Sequence, residues 1–100
     1  MLTLSELHDT TLDRIELSWK SGGAIFHIKT YIDKRDINIE MIIQGLTDLK
    51  VPRFYPWGPS VSINKAWQEN SGEAIKLVIE MQSGDIIEAR AKSYILQQAS

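Results

Sequence analysis

Ile15-Glu16-Leu17-Ser18-Trp19-Lys20-Ser21-Gly22-Gly23-Ala24-Ile25-Phe26-His27-Ile28 is two alternating runs around a glycine pair. Ile15, Leu17 and Trp19 share one face, and Phe26, Ile28 and Ile32 share one in the next run. Alternation with period two is the mark of a half-buried strand, and Gly-Gly supplies the positive φ of a two-residue hairpin turn. With Gly22-Gly23 as the loop, Trp19 falls opposite Phe26, Leu17 opposite Ile28, Ile15 opposite Thr30 and Glu16 opposite Lys29. A one-residue slip would turn each apolar side chain to the wrong face.

The same pattern extends in both directions. Ile37, Ile39, Met41 and Ile43 alternate with Asn38, Glu40, Ile42 and Gln44. With Asp33-Lys34-Arg35-Asp36 as a turn, Ile32 faces Ile37, Ile28 faces Met41 and Phe26 faces Ile43. Lys29 then lies between Glu16 and Glu40, a favourable cross-strand ladder. Gly45 to Phe54 reads as a connection in which Leu46, Leu49 and Val51 cover the end of a core. Val61 to Trp67 reads as a fourth strand, with Val61, Ile63 and Trp67 on one face and Ser62, Asn64 and Ala66 on the other. Gln68 to Glu73 is a loop, and Ile75, Leu77, Ile79 and Met81 define a fifth strand.

Two signals compete in the last segment. Met81-Gln82-Ser83-Gly84-Asp85 is a hairpin turn followed by β-branched Ile86-Ile87, which favours a strand from Ile86 to about Ala91. A loop of Ser83 to Asp85 sets Ile87, Ala89 and Ala91 opposite Met81, Ile79 and Leu77. Asp85-Ile86-Ile87-Glu88 also has the form of a capping box, and Glu88 and Lys92 have i,i+4 spacing, so a C-terminal helix is the alternative. Thr3 to His8 fits one capped helical turn. The expected fold is mainly β: an antiparallel meander of about six strands, closed into a small sandwich or partly open barrel. The connections are too short for parallel crossovers.

Bulk properties narrow the function classes. One hundred residues with 43% hydrophobic content suit one β-rich domain over 1–100. A net charge of −2 with interspersed signs gives no footprint for nucleic acid or an anionic membrane. The chain has no cysteine, which excludes disulfides and thiolate zinc sites and suits a reducing cytoplasm. No apolar run reaches membrane-spanning length, and Met1-Leu2-Thr3-Leu4-Ser5-Glu6 lacks the basic start of a signal peptide.

Chemical motifs are sparse. Histidines number two and show no metal-ligand spacing. His8-Asp9 pairs an imidazole with a carboxylate, but adjacent residues seldom form a relay, and a turn role is the better reading. His27 lies on the polar face of its strand, opposite Ser18 and near Ile42. Ser60 and Ser62 lack a nucleophile elbow, and Gly22-Gly23 leads into a strand rather than a phosphate-binding helix. No cofactor is indicated.

The block Arg53-Phe54-Tyr55-Pro56-Trp57-Gly58-Pro59-Ser60-Val61-Ser62-Ile63-Asn64 stands apart. Its prolines restrict φ and lower the loop's entropy, so Tyr55 and Trp57 are held stiffly. Either Trp57 plugs one end of the core, or Arg53, Tyr55 and Trp57 form a preorganised binding patch of the residue types enriched at hot spots. The candidate binding residues are Arg53, Tyr55, Trp57, Ser60, Ser62 and Asn64, with His8 and Asp9. The favoured function is non-enzymatic binding of another protein, or self-association through the block. The alternative is a small-molecule or minor enzymatic site at the sheet mouth near His8, Asp9, Ser62 and Asn64, with Arg53 as a further member.

Leu7-His8-Asp9, Val51-Pro52-Arg53, Pro56-Trp57-Gly58-Pro59-Ser60 with Ser62-Ile63-Asn64, and Met81-Gln82-Ser83-Gly84-Asp85 together resemble a family of small bacterial β-rich proteins with no established activity. The likeness spans nearly the whole chain, and the Pro-Trp-Gly-Pro-Ser core is its specific part. What it implies is a bacterial, cytoplasmic β-domain. The N-terminal His-Asp is also loosely similar to immunity proteins of bacterial toxin systems, which gives the binding function one concrete form.

Overall fold

The structure, a computed structural model, describes residues 3–54 and 61–99. Eight strands run through the described residues: β1 Thr11–Ser18, β2 Gly23–Ile32, β3 Arg35–Gln44, β4 Asp48–Lys50, β5 Ile63–Ser71, β6 Ala74–Met81, β7 Ile86–Ala91 and β8 Ser93–Gln98. They form two four-stranded antiparallel sheets, ordered β1-β2-β3-β8 and β4-β7-β6-β5. The mainly-β reading holds, and the C-terminal segment is strand rather than helix. No helix of the described residues is long and apolar enough to cross a membrane.

The chain changes sheets at paired corners. β3 runs into β4 through Gly45, and β7 runs into β8 through Lys92; β3 pairs with β8, and β4 with β7. A two-stranded ribbon therefore bends from one sheet into the other, held at the bend by Lys92 N–H to Gln44 O (3.1 Å) and Thr47 N–H to Arg90 O (2.8 Å). Gly45 turns the corner at φ 67°, with Lys92 carbons 2.8–2.9 Å from where its Cβ would lie. The Gly45–Phe54 connection thus contains an edge strand. Leu46 and Leu49 pack against the core, as expected, whereas Val51 is exposed.

Each expected hairpin exists, but its register differs. In β1–β2, Leu17 faces Ala24 and Ile15 faces Phe26. Trp19 lies in the turn, 93% exposed, and not opposite Phe26. The turn is longer than the glycine pair: Ser18 already pairs with Gly23, which is a strand residue. Gly23 is required there because a Cβ would stand 2.8 Å from the Ile43 carbonyl oxygen. In β2–β3, Asp33 and Lys34 alone make the turn, both at positive φ (50° and 64°). Phe26 therefore faces Met41, and Ile28 faces Ile39. Lys29 pairs with Thr11 and Asn38, so the expected Glu16–Lys29–Glu40 ladder does not form. In β6–β7, Ile79 faces Ile87 and Leu77 faces Ala89.

β5 departs furthest from its reading. It extends through Gln68 to Ser71, leaving Gly72 and Glu73 as the turn. An irregularity between Ile63 and Lys65 shifts the alternation, so Ala66 joins Ile63 in the core. Trp67 turns to the other face, opposite Val78, with Lys65 Nζ 5.3 Å from its ring centroid. One core draws on both sheets, including Phe26, Ile28, Met41 and Ile43 from the first and Ile63, Leu77, Ile79 and Ala89 from the second. Leu7, from a 3₁₀ turn over Leu4–Leu7, is fully buried among them. That turn is closed by Thr3 N–H to Glu6 Oε1 (3.0 Å), as its capping signature predicts.

Candidate functional site

The N-terminal segment is zipped onto the start of β5. Asp9 takes a left-handed conformation (φ 64°), which short polar side chains tolerate. Its N–H then reaches Ile63 O (2.8 Å), Ile63 N–H reaches Thr10 O (2.9 Å), and Leu12 N–H reaches Val61 O (2.7 Å). Buried Thr10 closes the preceding turn through its hydroxyl to Leu7 O (2.6 Å).

The side chains continue the zipper. His8 Nδ1 donates to Asn64 O (2.5 Å), and His8 Nε2 lies 3.3 Å from Asp9 Oδ2. Asp9 Oδ1 accepts from Gln82 Nε2 (2.5 Å), while Gln82 N–H donates to Ser62 O (2.9 Å). Asn64 Nδ2 donates to Glu80 Oε2 (2.6 Å). The structure thus brings His8, Asp9, Ser62 and Asn64 together, as expected. It adds Glu80 and Gln82, which sequence reasoning missed. The only signal for Gln82 was the Met81–Asp85 turn motif, read for its backbone alone, and Glu80 carried none. Ser62 takes part through its carbonyl. The His8 and Asp9 side chains are 59% and 66% exposed, so water screens their pairing and it contributes little energy.

Arg53 stands apart from this cluster. It is exposed, and the bonds of the His8–Asp9 cluster do not include it. The next residue, Phe54, donates its N–H to Asp85 Oδ1 (3.0 Å). Asp85 is buried, and its other carboxylate oxygen accepts from Ser83 Oγ (2.9 Å). Met81 N–H to Asp85 O (2.8 Å) and Gly84 N–H to Met81 O (2.9 Å) close the turn around it.

One turn, Gln82 to Asp85, therefore grips both ends of the Arg53–Asn64 block: Gln82 holds Ser62, and Asp85 holds Phe54. Phe54 is 83% exposed, and Val61 and Ile86 are exposed beside the same anchor points. Tyr55, Trp57 and Ser60 lie outside the described residues.

His27 sits on the outer face of the first sheet, opposite Arg14 and Glu40 rather than Ser18. Glu16 Oε1 approaches its Nε2 at 2.5 Å without hydrogen-bond geometry, and also accepts from Arg14 (3.2 Å). Asp13, Arg14, His27, Lys29, Asn38 and Glu40 line a shallow hollow of about 290 Å³. Its charges are balanced, so no ligand sign is selected. Among the described residues no group of three or more carboxylates and histidines could hold a metal. No family model, curated protein or solved structure matches the chain.

Proposed function

We propose that the chain is a non-enzymatic protein-binding module that presents the Arg53–Asn64 block as its recognition surface. One observation supports this above others: both ends of the block are tied to the Gln82–Asp85 turn while Phe54 is left almost fully in water. Anchored ends leave only the residues between them to be ordered on binding, and an exposed aromatic is the kind of anchor that fills a partner's pocket. An immunity or accessory role in a bacterial cytoplasm is the concrete form, supported by the motif resemblance and the absence of cysteine.

The test is affinity capture from lysate of the source cells, comparing wild type with Phe54→Ser and a Tyr55→Ala/Trp57→Ala double variant. The expected result is loss of the specifically captured protein from variants that keep wild-type circular dichroism and melting. Identical capture by all three proteins overturns the reading. So does unfolding of the double variant with Phe54→Ser fully active, because the aromatics would then be core.

The small-molecule alternative draws on the convergence of His8, Asp9, Asn64 and Gln82. Against it, the polar contacts of that cluster join one segment of the chain to another. A ligand would have to displace those bonds.

A further inference from the structure

We propose that the outer edge of β8 is a self-association surface: two copies pair antiparallel along Ser93–Gln98, joining their first sheets into one continuous eight-stranded sheet. This surface is separate from the Arg53–Asn64 block and does not depend on its role.

Four strands end the two sheets, and three are blocked. β1 carries a register irregularity around Asp13, bears Arg14 and Glu16, and is already bonded to the Val61–Ile63 segment. β4 is three residues long. β5 is irregular at Asn64 and carries Lys65 and Glu69. Charges, bulges and shortness are the devices by which edges avoid pairing. β8 has none of them. Ser93-Tyr94-Ile95-Leu96-Gln97-Gln98 is uncharged, free of proline and glycine, and in unbroken register with β3.

The backbone supplies the donors. Ala99 N–H bonds Asn38 O (2.8 Å), which makes that pair a hydrogen-bonded one. Alternation along an antiparallel ladder then turns the N–H and C=O groups of Tyr94, Leu96 and Gln98 away from β3, toward the open edge.

The side chains favour a second copy over a foreign strand. On the outer face Ile25, Ile42 and Ile95 stand in one cross-strand row, and Ile95 at its open end is 48% exposed. A two-fold axis beside Ile95 sets it against Ile95 of the second copy and continues the row into a band of six isoleucines. Tyr94 then pairs with Leu96 of the copy. Lys92, the nearest charge, meets Gln98 rather than another lysine. The edge is self-complementary, as an isologous interface requires.

The test is sedimentation equilibrium of the full chain from micromolar to millimolar concentration, with Ile95→Lys and Phe54→Ser beside wild type. A wild-type dimer is expected, with Ile95→Lys weakening it by at least about tenfold and Phe54→Ser leaving it unchanged. Hydrogen exchange of the Tyr94 and Leu96 amides should slow as wild type dimerises. A monomer throughout, a dimer unaffected by Ile95→Lys, or a dimer whose Tyr94 and Leu96 amides stay unprotected each overturns the proposal. Loss of dimer in Phe54→Ser with Ile95→Lys intact would move self-association to the block instead.

Discussion

Asp85 shows how one side chain can matter more to a loop than the loop's own residues do. It is buried, and its carboxylate holds the Phe54 amide and the Ser83 hydroxyl at once. Asp85→Ala removes the acceptor of two part-buried donors, and a net hydrogen bond of that kind is worth about 0.5–1.5 kcal/mol. The expected outcome is a loss of that size in urea unfolding, together with faster trypsin cleavage after Arg53. Asp85→Asn keeps one acceptor and should recover part of both. Unchanged cleavage would mean that Asp85 does not fix the block. Gln82→Ala acts at the other end but removes only an exposed side-chain bond to Asp9, since its backbone still holds Ser62. Its effect should stay within about 0.5 kcal/mol. The importance of these residues was hard to read from the sequence. Gln82, Ser83 and Asp85 are ordinary turn formers, and turn chemistry accounts for them without any long-range partner. Only the folded chain shows that the same turn meets two segments some twenty to thirty positions away. His8, Asp9, Ser62 and Asn64 were legible as a group because unexplained polar residues stood near the ends of strands. Their bonds lie largely in backbone carbonyls, which carry no sequence signal.

At the scale of strands and turns, alternation disclosed which faces are buried but not how far each strand slides. Leu17 faces Ala24 rather than Ile28, and Phe26 faces Met41 rather than Ile43. Both displacements are even, so Phe26, Ile28, Met41 and Ile43 stay inside, whereas Leu17, Trp19 and Ile32, on the expected inner faces, end up exposed. The turns decide between such registers, and two of them break the usual residue preferences. Gly23 is a strand residue that admits the Ile43 carbonyl, while Asp33-Lys34 forms a two-residue turn at positive φ without glycine. Such a turn favours Asn-Gly or Asp-Gly. Lys34→Gly should therefore raise stability, by about 0.5–1 kcal/mol after the entropy of glycine is set against the relief of left-handed strain. Gly23→Ala should act in the opposite sense, costing about 1–3 kcal/mol as the added methyl overpacks against backbone. Thermal melts of the two variants check both signs. A stabilising Gly23→Ala would show that the β2–β3 approach is looser than 2.8 Å implies. β5 failed for a different reason. Its irregularity at Asn64 is a single extra residue, and nothing in Ile63-Asn64-Lys65 announces it before Trp67 changes sides.

The whole molecule is fastened at both sides of its two sheets. On one side the ribbon of β3–β4 and β7–β8 bends through Gly45 and Lys92; on the other, the segment from Asp9 to Leu12 bonds Val61 to Ile63. Neither sheet can open without breaking bonds that belong to the other, so unfolding should be one cooperative transition, with tryptophan fluorescence and far-ultraviolet circular dichroism sharing a midpoint. Leu7 tests that unity because it lies far from the sheet centres in sequence yet is fully buried between them. If the 3₁₀ turn were an appendage, Leu7→Ala would fray the first dozen residues and leave the sheets' midpoint in place. As part of the common core, the change removes fully buried, packed atoms, at a cost of about 2–5 kcal/mol. That is a large share of the 5–15 kcal/mol typical of such domains. The whole transition should then move to lower denaturant with both probes still coincident. Leu4, only partly buried against the same core, should give a smaller shift on truncation to alanine. A split transition in Leu7→Ala would show that the two sheets fold as separate units and that the N-terminal zipper joins them only after each has formed.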